Sequence, residues 1–255
     1  MIANYHTHTP RCHHAVGDER DYIENAIKAG IKILGFADHS PQLFGDSFVS
    51  GIRMRPDEAE EYVTKLRRLG EEYKDDITVY VGFEAEYFPD LFPALRQFSR
   101  DLGVDYLILG QHCLTDEREG LWVGRPSSDH ERLTLYVDQL LEGLATEAYT
   151  YLAHPDMYAY TGDEDYFRAE MTRLCQGVKA LGLPIEVNML GLADHRHYPS
   201  ERFYRIAAEV GNEIIVGCDA HHPDALLDLE SQEKTRAFAE QFGCSVIETV
   251  PFRKI

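Results

Sequence analysis

The chain has 255 residues and a hydrophobic content of 44%, which suffices for the core of one β/α barrel, so we expect residues 1–255 to form a single domain. Lys and Arg total 25 against 44 Asp and Glu, and the formal charge of −19 would repel a nucleic-acid backbone, so no nucleic-acid partner is expected. No apolar segment has the length of a membrane span and the N-terminus lacks a signal peptide, so we expect a cytoplasmic protein with no membrane partner.

Short apolar runs rich in β-branched and aromatic residues recur along the chain and predict strands. Between them, apolar residues follow helical spacing, as at residues 133–144 and 167–181. Gly103 and Gly211 are among the glycines that fall between a predicted helix and the next strand. Alternating strands and helices imply a parallel α/β sheet, and we expect it to close into a barrel. The predicted strands are residues 2–5, 31–37, 77–83, 106–109, 149–153, 183–187 and 214–217, with 245–250 as a weaker candidate.

Nearly every predicted strand is followed at once by side chains that can bind a metal ion. His6 and His8 form an H-x-H pair, and two residues apart in an extended chain point the same way. Because the C-terminal ends of barrel strands face one mouth, these side chains should meet there in one metal site. Imidazole and carboxylate ligands suit Zn, Mn or Fe. The strand-end motifs are His6-Thr7-His8, Asp38-His39, Glu84, Gln111-His112, His154-Pro155-Asp156, Glu186-Val187-Asn188 and Asp219-Ala220-His221.

The order of these motifs resembles the polymerase and histidinol phosphatase (PHP) family along essentially the whole chain. They read H-T-H-T, A-D-H-S, G-F-E-A-E, G-Q-H, A-H-P-D, E-V-N and C-D-A-H-H-P. The segments 37–40, 84–89 and 198–200 resemble its histidinol-phosphate phosphatase branch, and no polymerase module accompanies them. The resemblance implies a distorted seven-stranded (β/α)7 barrel of the PHP type, with the metal site at the C-terminal edge of the strands.

The resemblance also implies a cofactor of two to three divalent metal ions, Zn, Mn or Fe, and a set of ligands for them. Glu84, Asp219 and His221 would take part directly in catalysis. The first ion would lie among His6, His8, Glu84 and Asp219, the second would share Glu84 and be held by His112 and His154, and the third would be held by His14, His39 and His221.

The resemblance favours His14 over its neighbour His13 as a ligand. In the family the ligand follows the second histidine of H-x-H by six residues, which is the spacing from His8 to His14. The sequence leaves open whether His13, His222 or Glu86 joins the site, and Glu86 could instead orient a ligand.

The phosphate-binding cation is harder to assign. The histidinol-phosphatase pattern has a basic residue directly after Gly-Leu, whereas here Gly191-Leu192 is followed by Ala193-Asp194-His195-Arg196. We expect Arg196 or His195 to bind the phosphate, with Asn188 as a further substrate-binding residue.

The predicted function is metal-dependent hydrolysis of a small-molecule phosphate ester by metal-bound hydroxide at a trinuclear site. The expected substrate is L-histidinol phosphate, which would yield L-histidinol and phosphate in histidine biosynthesis. The chain shows no phosphate-binding G-x-x-x-x-G-K-[ST] loop and no G-x-S-x-G nucleophile elbow. Two alternatives are a phosphoesterase acting on another small phosphate ester or a nucleotide, and a non-catalytic metal-binding module that supports a partner protein.

Overall fold

The computed structural model describes residues 1–255, apart from the side chain of Glu119. Eight parallel strands form one curled sheet in which each strand pairs with its neighbours in chain order. Every predicted strand has its counterpart, and the fold is a distorted β/α barrel of the PHP type, as predicted. The strands are β1 (Ala3–Asn4), β2 (Ile33–His39), β3 (Thr78–Glu84), β4 (Tyr106–Leu109), β5 (Tyr149–Leu152), β6 (Ile185–Asn188), β7 (Glu213–Gly217) and β8 (Ser245–Ile247).

Helices alternate with the strands and cover the outside of the sheet. Gly103 and Gly211 end α3 and α7 in the left-handed conformation, with φ of 68° and 80°, as their positions predicted. None of the described helices is both long and apolar enough to cross a bilayer. The α-helices are α1 (Glu19–Lys28), α2 (Ala59–Glu72), α3 (Phe92–Leu102), α4 (His130–Ala145), α5 (Glu164–Ala180), α6 (Met189–Ala193), α7 (Glu201–Val210) and α8 (Leu229–Glu240), and short 3-10 helices span Pro10–Cys12, Pro56–Glu58, Glu117–Glu119, Pro155–Met157 and Pro223–Leu227.

The barrel closes between the extensions of β1 and β7 at the mouth. Thr7 forms a parallel bridge with Ala220. Two backbone hydrogen bonds flank it, from His8 N to Ala220 O (2.9 Å) and from Ala220 N to His6 O (3.2 Å). At the other end of β7, β8 pairs with Glu213 to Ile215 and adds one strand to the seven of the predicted barrel.

The barrel interior is filled by side chains and closed at its lower end, opposite the mouth, by the C-terminal segment. Tyr106 donates a hydrogen bond from its hydroxyl to the Tyr5 carbonyl (2.7 Å). The Phe252 ring lies against Tyr106, Tyr80 and Tyr5, with centroid distances of 4.6, 4.7 and 5.6 Å. A Cβ on Gly35 would lie 2.3 Å from the Tyr106 hydroxyl, so this large ring requires glycine there. The buried interior residues are Ala3, Tyr5, Ala37, Tyr106, Ile108, Tyr151, Ala153 and Ile215.

We predict that Phe252→Ala lowers the free energy of unfolding by about 2–4 kcal/mol, because it leaves a cavity beneath the tyrosines. Urea denaturation at a fixed, saturating metal concentration measures the change. Lys254→Ala is the matched control, since Lys254 is exposed in the same segment, and it should stay within about 0.5 kcal/mol of the unsubstituted protein. Equal free energies of unfolding in the two variants would show that Phe252 does not stabilise the lower end of the barrel.

Candidate metal centre

All nine predicted metal ligands lie together at the barrel mouth. Each is carried there by a strand end or by the segment directly after it, so the fold itself gathers residues that are far apart in the sequence. Seven are buried, whereas His221 is half-buried and His14 is exposed. The nine residues are His6, His8, His14, His39, Glu84, His112, His154, Asp219 and His221.

The Glu84 carboxylate lies in the middle of the cluster, and its two oxygens face different groups of imidazoles. Oε2 lies 3.0 Å from His39 Nδ1 and 3.6 Å from the Nε2 atoms of both His6 and His8. A cation between these atoms would have a carboxylate and several imidazoles as ligands.

On its other side, Glu84 Oε1 lies 2.8 Å from His154 Nε2 and 3.5 Å from His112 Nε2. The two carboxylate oxygens thus face different imidazoles, so Glu84 could be shared between two ions, as the family resemblance implies. Gly110 makes room for it: a Cβ at that position would lie 1.8 Å from Oε1. The glycine after β4 is therefore required by the position of the carboxylate.

Asp219 completes the first group. Its Oδ1 lies 3.0 Å from His8 Nε2 and 3.5 Å from His6 Nε2. Asn188 donates a hydrogen bond from Nδ2 to the other carboxylate oxygen (3.0 Å), which fixes the orientation of Asp219. The Asp219 backbone is left-handed, with φ of 50°, a conformation that the surrounding contacts must stabilise.

A third group at the edge of the mouth consists of His14, His39 and His221. Their potential ligand atoms lie within 4.8 Å of one another. The His14 ring lies 4.8 Å from that of His221 and 5.3 Å from that of His39, centroid to centroid. His13 is exposed, whereas His222 accepts a hydrogen bond from Asp224 N at the start of a 3-10 helix. Neither belongs to a described group of potential ligands.

Two of the imidazoles are oriented by carboxylates that accept a hydrogen bond from Nδ1. His6 Nδ1 lies 2.8 Å from Glu186 Oε2, and His8 Nδ1 lies 3.3 Å from Asp38 Oδ1. A carboxylate on Nδ1 fixes the ring and leaves Nε2 free for a metal ion. Gly217 is required here as well, since a Cβ would lie 2.3 Å from Glu186 Oε2. Asp38 and Glu186, noted in the sequence as possible ligands, thus contact the far side of the imidazoles.

The electrostatic environment keeps the two central carboxylates ionised. Burial tends to raise the pKa of Glu84, but the neighbouring imidazoles, with His112 contributing most, hold it well below its usual value. Burial acts on Asp219 in the same way, and His6 and other imidazoles again hold the pKa well below its usual value. Both groups therefore present negative charge to the cluster at neutral pH.

The imidazoles fall into two classes. Burial lowers the pKa of His39 well below its usual value and lowers that of His221 to about 4, so both are neutral at pH 7. For His6 and His8, burial is outweighed by the surrounding carboxylates, which raise the pKa. Carboxylates that favour a proton at these positions would also favour a metal cation, which displaces that proton.

Buried polar atoms without partners show that the site fits metal ions. Among the described residues, His6 Nε2, His8 Nε2 and Glu84 Oε2 are buried and make no hydrogen bond. A buried polar atom left unsatisfied costs about 1–3 kcal/mol. Three such atoms pointing into one space are the arrangement that a bound cation would satisfy.

The cluster opens into a cavity of about 570 Å³, a volume suited to a small molecule. Histidines and carboxylates form its floor, and the side chains of the loops form its walls. The Trp122 ring stacks on His112 with a centroid distance of 5.5 Å. The walls include Gly51, Ile52, Trp122, Met157, Leu190, Asp194, Arg196 and Tyr198.

The structure separates the three predicted substrate-binding residues. Arg196 lines the cavity, where it donates hydrogen bonds to Tyr198 Oη (2.9 Å) and Asp194 Oδ2 (2.8 Å). His195 is exposed and borders a different groove, between α6 and α8. Asn188 is fully buried, and its side-chain amide bonds Glu186, Asp219 and the Gly191 backbone N–H. Its contacts are those of a residue that positions Asp219.

Sequence reasoning missed Trp122 and the role of Gly110. Trp122 is the only tryptophan in the chain, which is the one signal that could have drawn attention to it. Glu86, left open as a ligand or an orienter, accepts a hydrogen bond from the His112 backbone N–H (2.9 Å). It therefore fixes the segment that carries this histidine.

Comparison with known proteins agrees with this geometry. The family described as PHP domain matches residues 4–189. A Deinococcus radiodurans protein named "Probable histidinol-phosphatase" is 28% identical over 233 residues, covering 87% of each chain. A Bacillus subtilis protein named "Histidinol-phosphatase" is 30% identical over 115 residues, covering 43% of each. The crystal structure of a histidinol phosphate phosphatase from Lactococcus lactis, complexed with Zn, L-histidinol and phosphate, has a TM-score of 0.72 at 19% identity and covers 100% of this chain and 99% of its own.

We predict that the purified protein, equilibrated with excess Mn²⁺ or Zn²⁺ and then desalted, retains two to three ions per chain. The nine potential ligands at the mouth exceed what one four- or six-coordinate ion can use. Elemental analysis measures the ratio, and a value of one or less at saturation would contradict the prediction.

We predict that Glu84→Gln lowers kcat by at least about a hundredfold, because the neutral amide preserves the shape of the carboxylate but weakens its hold on two ions. Steady-state phosphate release measures the loss. Glu233→Gln, at an exposed position of α8, is the matched control and should retain full activity. Similar activity in the two variants would remove Glu84 from the site.

Proposed function

This chain belongs to the PHP domain family as a metal-dependent phosphatase, and we propose that its substrate is L-histidinol phosphate, which it hydrolyses to L-histidinol and phosphate. The observation that carries the proposal is the shared cavity: seven of the nine potential ligands and the Arg196 guanidinium border a space of small-molecule size, and His6 and His8 lie buried beside those ligands. The relatives named histidinol-phosphatase, and the Lactococcus lactis protein crystallised with Zn, L-histidinol and phosphate, support this substrate.

Three ions would be held by the nine potential ligands at the mouth, with Glu84 shared between two of the ions. When bound, clustered divalent ions neutralise the phosphate oxygens and lower the pKa of a coordinated water. Asp38 and Glu186 contribute by fixing the rings of His8 and His6 through Nδ1. This pre-formed arrangement avoids the reorganisation that a flexible site would need during the reaction.

Arg196, on the wall of the same cavity, would bind the phosphate group. It is half-exposed at the cavity wall and already pairs with the Asp194 carboxylate, so a phosphate oxygen would replace one acceptor by another. A guanidinium can donate two parallel hydrogen bonds to phosphate. Tyr198, hydrogen-bonded to Arg196, holds the guanidinium toward the cavity.

The other end of the substrate would lie among the loop side chains. Trp122, Ile52 and Leu190 give the cavity an apolar wall that suits an imidazole ring. Asp194 on the same wall offers a carboxylate to the ammonium group of histidinol. An aromatic wall beside an acidic one suits a small ester that carries a positive charge.

The experiment that tests the proposal is phosphate release from a panel of esters by the Mn²⁺- and Zn²⁺-loaded enzyme. The panel contains L-histidinol phosphate, phosphoserine, a sugar phosphate and a nucleoside monophosphate. We expect kcat/KM for L-histidinol phosphate to exceed the others by at least about a hundredfold, since about 3 kcal/mol of additional contacts gives that ratio. A higher value for any other ester would assign the site to that substrate instead.

We predict that Arg196→Ala raises KM for the phosphate ester and lowers kcat/KM by about 10- to 100-fold, while metal content is unchanged. A charge-assisted hydrogen bond is worth about 1.5–3 kcal/mol, and Arg196 contacts none of the proposed ligands. Kinetics and elemental analysis of the same sample measure both effects. Arg168→Ala, which removes a surface pair with Glu209, is the control. Joint loss of metal and activity, or kinetics like those of Arg168→Ala, would contradict the role of Arg196.

A further inference from the structure

Arg53 is a buried cation in a loop whose tip is exposed. The loop spans residues 40–55 between β2 and the 3-10 helix Pro56–Glu58, and its tip from Gly45 to Val49 is exposed, whereas Arg53 is only 1% exposed. Arginine is almost never fully buried unless its charge is paired. The structure supplies that pairing with two carboxylates and one carbonyl group.

The three partners of Arg53 come from three different segments of the barrel mouth. Its Nη2 pairs with the Glu86 carboxylate, its Nε donates to Glu117 Oε2 (2.9 Å), and its Nη1 donates to the Ser40 carbonyl (3.4 Å). Ser40 directly follows the proposed ligand His39, and Glu86 lies two residues after Glu84. One guanidinium therefore joins the segments that follow β2, β3 and β4.

Glu86 contacts both Arg53 and the proposed metal ligand His112. Its Oε1 accepts hydrogen bonds from the backbone N–H groups of His112 (2.9 Å) and Cys113 (3.2 Å), and it lies 3.4 Å from His112 Nδ1. Its Oε2 binds Arg53. Because both carboxylate oxygens are used, the position of Glu86 depends on Arg53, and the position of His112 depends on Glu86.

Glu117 links Arg53 to a segment next to the cavity wall. Its Oε1 accepts a hydrogen bond from Ser50 Oγ (2.7 Å), next to Gly51 and Ile52 on the wall. Glu117 lies in the segment 113–122, whose ends are joined by a bridge between Cys113 and Trp122. Trp122 also lines the cavity.

We propose that Arg53 is a positioning residue that acts on both halves of the site: through Glu86 it sets His112 for metal binding, and through Glu117 it fixes the loop 40–55 against the Trp122 segment as the substrate wall. The proposal rests on the phosphatase function proposed above. The two contacts of Arg53 should have different effects. Loss of the contact with Glu86 should weaken metal binding, whereas loss of the contact with Glu117 should weaken substrate binding.

The test uses two isosteric variants and the single tryptophan of the chain as a reporter. Glu86→Gln and Glu117→Gln keep the size of each side chain, and Arg53→Lys keeps the charge but cannot span both carboxylates. Mn²⁺ titration of the metal-free protein, followed by equilibrium dialysis and by Trp122 fluorescence, reports on metal binding without any turnover. Steady-state kinetics at saturating metal reports on KM.

We expect Glu86→Gln to weaken the binding of at least one ion by about 10- to 100-fold, the size typical of residues that orient a metal ligand. Glu117→Gln should keep metal affinity within about twofold, shift the Trp122 emission to longer wavelength and raise KM by about three- to tenfold, a loss of about 1 kcal/mol. Arg53→Lys should show both effects. Arg67→Met, which removes a two-point pair with Asp105 at the opposite end of the barrel, is the control and should show neither.

Metal affinity in Glu86→Gln equal to that of the control would overturn the proposal, as would an unchanged Trp122 emission in Glu117→Gln. These two readouts do not depend on the substrate. If the enzyme hydrolyses none of the tested esters, the proposed function fails while the metal titration and the fluorescence still decide the role of Arg53.

Discussion

The buried carboxylate of Glu84 is the feature around which the mouth of the barrel is organised. An ionised carboxylate is costly to bury unless positive charge or hydrogen-bond donors surround it, and here imidazoles from several strands supply that environment. Gly110 has no side chain because the space is occupied by the carboxylate. A side chain at Gly217 would likewise clash with the carboxylate of Glu186, which orients His6. The glycines, the orienting carboxylates and the ligands therefore form one set of mutually dependent positions.

Much of this arrangement could be predicted from the sequence because it is encoded locally. A run of β-branched residues such as residues 214–217 predicts a strand, and the polar residues directly after it, Asp219 and His221, must then face the mouth. The same argument holds for His39 at the end of β2 and for His154 after β5. Since parallel strands all present their C-terminal ends to one side, the convergence of the ligands follows from topology alone.

Other parts could not be predicted because they depend on contacts between aperiodic loops. Arg53 pairs with Glu86, 33 residues away, and with Glu117, 64 residues away, and neither loop has a repeating pattern that would place it. Similarly, the sequence left the phosphate-binding cation open between Arg196 and His195, because the turn after α6, which places Arg196 at the cavity and His195 at a different groove, has no pattern that predicts it. The eighth strand lengthened the sheet beyond the seven-stranded expectation because β7 pairs with β1 only at the mouth, so its lower edge is free to pair with β8.

The central claim is that Glu84 joins two metal ions at the barrel mouth, and anomalous X-ray scattering from crystals of the Mn²⁺- or Zn²⁺-loaded protein tests it most directly. Data collected on either side of the absorption edge locate each ion independently of the protein phases. The account predicts separate peaks near Glu84 Oε1 and Oε2, each about 2.0–2.2 Å from its oxygen, with a further peak among His14, His39 and His221. A single peak bound to only one Glu84 oxygen, or peaks away from the nine residues, would contradict it.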